Sequence, residues 1–242
     1  MFRTLQNSVF SLVYPQECRV CSGHVEDHND GVACGDCWTA TTIFNGDEML
    51  CNKCGAFFGD KAAPVAVYCH QCVDHHYSKA LALGIYEKAL AASIVRLKTV
   101  PSLPSRLRSM IRSSKSLGVL SEVDLIIPIP LSRLRRLERG FNQADMIAAA
   151  ISRSFRIPQD KQSLTRKLHT PIHRIGMDKK ARELTVKNAF EVKRPKLIER
   201  KNILLVDDVF TSGATASACA KVLKKNGAIS VKVFTLARAV MN

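Results

Sequence analysis

Four Cys-x2-Cys pairs in the first third of the chain restrict its fold more than any other feature. They account for eight of the nine cysteines: Cys18/Cys21, Cys34/Cys37, Cys51/Cys54 and Cys69/Cys72. Such a turn puts two thiolates on one side of a tetrahedral zinc ion, and a second turn a dozen or so residues later completes the shell. We therefore predict two structural zinc sites, each with four cysteine ligands and no open position for chemistry.

The spacing leaves open which cysteine pairs combine. Consecutive pairs would give two ribbons, from Cys18 to Cys37 and from Cys51 to Cys72, whereas alternate pairs would interleave as a cross-brace. We prefer the consecutive arrangement because each loop is then short. Several histidines lie nearby and are interpreted as surface residues, since eight thiols already complete two shells: His24, His28, His70, His75 and His76.

Composition and charge limit the function classes. The 242 residues suit one small and one medium domain, and 46% hydrophobic residues are typical of a globular protein. No apolar run is long enough to predict a membrane span, and no secretory signal is recognisable. We therefore expect a cytoplasmic protein with reduced thiols. A formal net charge of +15 favours polyanionic partners such as nucleic acid, anionic lipid or phosphorylated metabolites.

From Lys79 onward, short apolar runs alternate with helical patterns, which predicts an open α/β fold with a parallel sheet covered on both faces. The expected domains are a zinc module over 1–78 and an α/β domain over 79–242. We expect strands at 81–86, 123–130, 202–207 and 231–237, and helices at 89–98, 103–115, 142–155 and 215–226. Ligands of such folds bind at the carboxyl ends of the strands.

One such strand end carries two carboxylates followed by a hydroxyl-rich turn. Asp207 and Asp208 follow the apolar run Asn202–Val206, and the next residues open a helix: Val209, Phe210, Thr211, Ser212, Gly213, Ala214 and Thr215. Backbone N–H groups at the start of a helix, together with its positive end, favour phosphate binding. The carboxylates would accept hydrogen bonds from sugar hydroxyls and help to hold a magnesium ion. The segment thus predicts a site for a phosphorylated sugar.

This segment resembles the motif with which type I phosphoribosyltransferases bind 5-phosphoribosyl-1-pyrophosphate (PRPP). The shared pattern is an apolar run, two acidic residues and a short Thr/Ser/Gly turn that ends in Thr. The resemblance implies a PRPP site with Mg²⁺ and gives Asp207 and Asp208 the catalytic role of stabilising positive charge on the ribose. The sequence has neither a P-loop nor a Gly-x-Gly-x-x-Gly motif after a strand, so it does not support the commoner nucleotide-binding folds.

A second segment resembles the ComF family of competence-associated proteins. Its Pro128-Ile129-Pro130-Leu131 strand end precedes an Arg139-Gly140-Phe141-Asn142-Gln143 motif. The resemblance extends over nearly the whole chain, including the cysteine pairs, Leu97-Lys98, Asn188-Ala189-Phe190 and the closing Leu236-Ala237-Arg238. It implies a type I phosphoribosyltransferase-like domain behind a double zinc ribbon.

In the related transferases, the loop after the earlier strand holds the pyrophosphate of PRPP. The resemblance therefore makes 131–139 the pyrophosphate loop, with Leu131, Arg139 and Lys98 as pyrophosphate-binding residues. Guanidinium groups suit this role because they bind phosphate oxygens in bidentate fashion. Between Leu164 and Phe190, however, His173 and Thr185 stand where the family pattern has Gln and Asn. These substitutions fall in the lid region, so the resemblance supports PRPP binding ahead of catalysis.

The basic residues also fit a second class of function, the handling of single-stranded DNA with PRPP as a regulator or with no PRPP at all. The candidate phosphate track consists of Arg106, Arg108, Arg112, Lys115, Arg133, Arg135 and Arg136. Few aromatic residues interleave with them, so the stacking platforms of many single-strand binders are missing from this track. The sequence leaves the acceptor substrate and the oligomeric state open.

Overall fold

A computed structural model describes residues 15–61, 65–167 and 189–240. The cysteine-rich part forms two small ribbons that carry little regular structure. The first contains helix α1 (Gly35–Thr39), and the second contains the antiparallel strands β1 (Met49–Leu50) and β2 (Phe57–Gly59). Metal ligation is needed to fold elements this short, because they bury too little apolar surface by themselves.

The larger part of the chain is built on a four-stranded parallel sheet, as predicted. Its strands are β3 (Lys79–Ile85), β4 (Leu125–Pro128), β7 (Asn202–Phe210) and β8 (Ser230–Arg238), in the order β3-β8-β7-β4. The run from Ile203 to Val206 is fully buried. A strand with this continuous apolar character must be covered on both faces, and helices supply that cover.

Helices pack on both faces of the sheet. Helices α2 (Lys88–Leu97), α3 (Ser105–Ser113) and α5 (Gln143–Phe155) lie on the face that carries Leu204 and Val206. Helix α6 (Ala214–Lys225) covers the opposite face, with Leu205 and Val233 beneath it. As predicted, Gly227 follows the end of α6 with a left-handed φ of +89°.

The two ribbons join the cores of opposite faces. Cys18, Cys34 and Trp38 of the first ribbon belong to the apolar cluster of α2, α3 and α5, whereas Cys51 and Cys72 belong to the cluster beneath α6. The zinc module is therefore continuous with the core of the sheet. The domain boundary at 78/79 stays a prediction.

Three features differ from the expected elements. Residues Arg133–Arg139 form a helix, α4, where a loop was expected; the Ser132 hydroxyl caps its start, and Gly140 ends it with φ +73°. Strand β7 continues three residues beyond Asp207. A separate antiparallel pair, β5 (Leu164–Arg166) and β6 (Phe190–Val192), was not predicted. Within the described ranges, no helix combines the length and apolar character needed to cross a bilayer.

Candidate functional site

The eight ribbon cysteines form two four-sulfur clusters. Consecutive pairs combine, since the sulfurs of Cys18, Cys21, Cys34 and Cys37 lie within 4.8 Å of one another, and so do those of Cys51, Cys54, Cys69 and Cys72. The Sγ–Sγ distance is 3.8 Å for Cys18–Cys37 and 3.7 Å for Cys51–Cys72. A tetrahedral zinc with bonds of about 2.3 Å requires about 3.8 Å between sulfurs, so the donor sets fit zinc. The cross-brace alternative is excluded by this grouping.

Backbone amides support both clusters. The Cys34 N–H donates to Cys18 Sγ at 3.3 Å, and the Cys69 N–H donates to Cys51 Sγ at the same distance. Hydrogen bonds of this kind stabilise thiolate charge and orient the ligands. Four thiolates leave no open coordination position, so both sites are structural. His75 is an exception to the expected surface histidines, because its ring is part-buried and bonds the Tyr77 hydroxyl at 2.6 Å.

A cavity of about 250 Å³ lies at the carboxyl ends of β4 and β7. It brings together residues that are far apart in sequence: Lys98 after α2, Leu131 after β4, Arg139 at the end of α4, and Asp207 and Asp208 in β7. The remaining predicted residues that line it are Val209, Phe210, Thr211, Gly213 and Thr215. Ser212 and Ala214 belong to the same turn without lining the cavity.

The two carboxylates are held by their own backbone. The Asp208 N–H donates to Asp207 Oδ1 and the Val209 N–H to Asp208 Oδ1, both at 2.9 Å. Burial and the adjacent Asp208 carboxylate raise the pKa of Asp207 well above its ordinary range. Two adjacent carboxylates that are buried together repel each other, and a divalent cation would offset their charge. Mg²⁺ prefers such oxygen ligands, so the pair fits it.

The Arg139–Gln143 motif supplies the opposite wall. Gly140 allows the chain to leave α4, and the Asn142 side chain caps α5 by accepting from the Ala144 N–H at 3.2 Å. Gln143, the first residue of α5, donates from Nε2 to Asp208 Oδ2 at 3.1 Å and accepts from Arg139 Nη1 at 3.0 Å. Each residue of the motif except Phe141 thus makes a contact or a turn that shapes this wall of the cavity.

Lys98 reaches the same carboxylate from the other side, with its Nζ 3.9 Å from Asp208 Oδ2. The pair is partly exposed, so its contribution to stability is small. Its position matters more, because it adds a cation to the lining of the cavity beside Asp208.

The turn after β7 opens α6. Gly213 adopts φ +77° at the N-cap of the helix, and the Ser212 hydroxyl accepts from the Ala214 N–H at 3.4 Å. The backbone N–H groups of 211–215 therefore lie at the positive end of a twelve-residue helix. This is the arrangement on which anion binding at helix starts depends.

The arginines assigned to DNA separate into distinct groups. Arg135 lines the cavity together with Arg139, four residues further along α4. Arg133 and Arg136 of the same helix are exposed and do not line the cavity, and Arg108 is exposed on α3. Arg106 is engaged in the first ribbon, where it donates to Asp30 at 2.7 Å and lies 4.9 Å from the Trp38 ring centroid.

Among the cavity-lining residues that were not predicted, Gln143 and Arg166 add an amide and a charge to the site. Gln143 belongs to a quoted motif, but its contact with Asp208 spans 65 positions of sequence and has no local signal. Arg166 lines the cavity from β5, with its guanidinium 5.3 Å from the Phe190 ring centroid. Nothing in its immediate sequence indicates a site. His173 and Thr185 lie outside the described residues.

The cysteine-rich segment and the chain as a whole both have relatives among known proteins. Residues 9–73 match the double zinc ribbon domain. Competence protein F of Haemophilus influenzae is 30% identical over 231 residues, covering 92% of this chain and 96% of that protein. DNA utilization protein YhgH of Escherichia coli K12 is 28% identical, covering 94% and 99%. Among solved structures, the glutamine PRPP amidotransferase from B. subtilis gives a TM-score of 0.38 at 16% identity, covering 58% of this chain and 30% of that one.

The relationship to competence protein F extends over nearly the full length of both chains. It includes the cysteine-rich ribbons as well as the parallel sheet. The chain is therefore a member of the ComF family, with a double zinc ribbon ahead of an α/β domain built on a parallel sheet.

Proposed function

We propose that the cavity at the ends of β4 and β7 binds PRPP with Mg²⁺. One observation carries the proposal: the cavity joins two carboxylates, the start of a helix and basic side chains from separate elements. A phosphorylated sugar pyrophosphate needs these three features, because it carries hydroxyls, a terminal phosphate and a highly charged leaving group.

The phosphate of PRPP would lie in the turn 211–215. Its oxygens would accept hydrogen bonds from backbone N–H groups at the start of α6 and from the hydroxyls of Thr211 and Thr215. The ribose hydroxyls would donate to Asp207 and Asp208. A volume of about 250 Å³ suits one compact ligand of this kind.

The pyrophosphate would lie towards α4. Of the described residues that line the cavity, four are basic (Lys98, Arg135, Arg139 and Arg166) and two are acidic. This surplus of positive charge supports a polyanionic ligand, and the arginine forks suit its phosphate oxygens. Mg²⁺, when bound, would neutralise part of the pyrophosphate charge, with Asp207 and Asp208 available to hold it through oxygen.

As a transferase, the protein would displace pyrophosphate from C1 of the ribose with a nitrogen nucleophile. The C1–O bond breaks and its electron pair leaves with the pyrophosphate, the nitrogen lone pair forms the C1–N bond, and the nitrogen's proton passes to solvent. Positive charge develops on the ribose ring, where Asp207 and Asp208 would stabilise it. Lys98 and Arg139 would stabilise the departing pyrophosphate, so no covalent nucleophile is needed.

Calorimetric titration of PRPP in the presence and absence of Mg²⁺ tests the proposal. We expect magnesium-dependent binding that is lost in an Asp207→Ala, Asp208→Ala double variant. Asp124→Asn is the matched control, because Asp124 precedes β4 at the opposite end of the sheet. Equal binding by the double variant would contradict the proposal. A screen of nitrogenous bases, amines and nucleic acids for pyrophosphate release then identifies the acceptor.

A second function, contact with single-stranded DNA, has one observation of its own. Helix α4 presents Arg135 and Arg139 to the cavity and leaves Arg133, Arg136 and Leu137 exposed. The names of the two relatives, a competence protein and a DNA utilization protein, are consistent with such a partner. The exposed face would contact DNA phosphates while the inner face serves the cavity.

The two faces of α4 allow a paired test of this second function. We expect Arg133→Ala, Arg136→Ala to weaken salt-dependent binding of single-stranded DNA and to leave PRPP affinity unchanged. Arg135→Ala, Arg139→Ala should lower PRPP affinity by about tenfold or more, since charge-assisted bonds contribute about 1.5–3 kcal/mol each. DNA binding that is equally strong in both variants and insensitive to salt would contradict the DNA role.

A further inference from the structure

Arg238 joins the second zinc site to the phosphate turn. This residue ends β8 and is only 6% exposed. Its guanidinium donates from Nη1 to the Cys54 carbonyl oxygen and from Nη2 to Cys54 Sγ at 3.5 Å. The same group lies 4.7 Å from the centroid of the Phe210 ring, at the end of β7. One side chain thus contacts both a zinc ligand and the residue that precedes the turn.

A second route runs through the segment that follows the last cysteine of this site. Tyr77 packs edge-on against Phe210 at 5.8 Å between ring centroids, and its hydroxyl bonds His75. A Cβ atom on Gly213 would lie 2.6 Å from Phe210 Cζ, 2.9 Å from His75 Cε1 and 3.0 Å from the Tyr77 hydroxyl. The backbone of the turn therefore rests directly on residues placed by the ribbon.

A third contact ties the same segment to α6. The His76 N–H donates to Ser217 Oγ at 3.1 Å, and Ser217 lies in the first turn of that helix. His75, His76 and Tyr77 all fall within five positions of Cys72, one of the zinc ligands. Because a four-thiolate shell fixes the chain on either side of its ligands, the metal also fixes these three residues.

The first ribbon is joined to a different part of the molecule. Arg106 packs on Trp38 in a contact of the same chemical kind as that between Arg238 and Phe210, but it connects the first ribbon to α3. The two ribbons therefore offer an internal comparison: only the second is joined through such an arginine to the phosphate turn within the described part of the chain.

We infer that Arg238 is a positioning residue through which zinc bound by Cys51, Cys54, Cys69 and Cys72 sets the affinity of the phosphate turn for PRPP. This inference rests on the proposed function. By thermodynamic reciprocity, PRPP must then strengthen zinc binding at the second site by the same factor. For the first site, whose arginine contact leads to α3, we expect no such linkage.

Substitution of Arg238 tests the connection. Arg238→Gln in the full chain should keep two zinc ions per molecule and weaken magnesium-dependent PRPP binding by about tenfold. Arg238→Lys keeps the charge but lacks the planar fork, so it should restore only part of the affinity. Arg106→Gln is the matched control: it removes the corresponding arginine–aromatic contact of the first ribbon and should leave PRPP affinity unchanged.

Zinc release from the unmodified protein gives a second readout that needs no folded variant. With a chromophoric chelator in excess and Mg²⁺ saturating, two phases of one zinc each are expected. PRPP should slow one phase at least fivefold and leave the other unchanged. In Asp207→Asn, Asp208→Asn, which lacks the carboxylates of the PRPP site, neither phase should respond to PRPP.

The possible results separate the two levels of the hypothesis. If the unmodified protein binds no PRPP, the proposed function fails and the coupling falls with it. If it binds PRPP but PRPP changes the rate of neither zinc-release phase, only the coupling is overturned. The coupling is also overturned if Arg238→Gln retains two zinc ions and binds PRPP with unchanged affinity. Should Arg238→Gln fold poorly, the zinc-release rates of the unmodified protein decide.

Discussion

Gln143 and Asp208 are 65 positions apart in sequence, yet the Gln143 amide nitrogen donates to the Asp208 carboxylate at 3.1 Å. Gln143 is 3% exposed and begins α5, so its backbone is fixed by the helix. A neutral amide can orient a carboxylate without neutralising it, which leaves the negative charge available to a ligand. The contact thus connects the ComF motif to the acidic pair.

Replacing Gln143 with Met should distinguish the effect of the hydrogen bond to Asp208 from the effect of side-chain packing. The variant keeps the side-chain volume but leaves Asp208 Oδ2 without its amide donor. We expect the free energy of unfolding to fall by about 1–3 kcal/mol, measured in urea, because a buried acceptor loses its partner. PRPP affinity should fall by about tenfold. Gln159→Met, which removes an amide bond to the Asp145 carbonyl, should leave PRPP affinity unchanged.

The pH dependence of stability should report the ionisation of Asp207. Its pKa is raised by burial and by Asp208, with Lys98 opposing the shift. The unfolded pKa of an aspartate is about 3.9. A carboxyl whose pKa is higher in the folded protein contributes its full stabilisation below about pH 3.9. That stabilisation is lost as the pH rises through the folded pKa. Asp207→Asn cannot ionise, so it should be more stable than the unmodified protein at pH 8. In urea titrations, this difference in the free energy of unfolding should shrink towards pH 4. A difference that becomes larger at acidic pH would contradict a raised pKa for Asp207.

Two glycines with similar backbone angles should respond differently to alanine. Gly213 has φ +77° and its added Cβ would meet three side-chain atoms at 3.0 Å or less, whereas Gly140 has φ +73° with nothing within 4 Å. Gly140→Ala should cost about 1–2 kcal/mol from backbone strain alone. Gly213→Ala should cost more and abolish PRPP binding. Urea denaturation and calorimetry measure both, and equal losses of stability would argue against close packing of the turn.

Metal analysis should find two zinc ions per chain, one in each cluster. Cys34→Ser should leave one zinc ion and destabilise the first ribbon by several kcal/mol, since metal binding supplies most of the folding free energy of such segments. Cys219→Ser is the control for zinc content, because Cys219 lies on the buried face of α6 and belongs to neither cluster. Elemental analysis and thermal unfolding measure the outcome. Retention of two zinc ions in Cys34→Ser would contradict the four-cysteine shell.

The sequence was sufficient to predict both the zinc clusters and the open sheet. The cysteine spacing predicted two four-cysteine sites and the structure settled their pairing, while the apolar runs around Ile126 and Leu204 determine where buried parallel strands lie. The acidic pair and its turn were likewise recognisable, because all their residues lie within ten positions of one another.

Long-range contacts were beyond this kind of prediction. The arginine-rich segment was expected to be a loop, but Ser132 and Gly140 cap it as the helix α4 and thereby divide its arginines between cavity and solvent. Arg166 reaches the cavity from a strand pair that has no motif. The attachment of the two ribbons to opposite faces of the sheet depends on tertiary packing alone.

The strand order β3-β8-β7-β4 also has a consequence for folding during synthesis. Strand β8, which emerges from the ribosome after the other three, pairs with both β3 and β7. Until it is made, the edge of β3 that pairs with β8 stays open, and an unpaired strand edge is prone to association with other chains. Arg238 is the final residue of that strand, so the contact with Cys54 cannot form before the nascent sheet is complete.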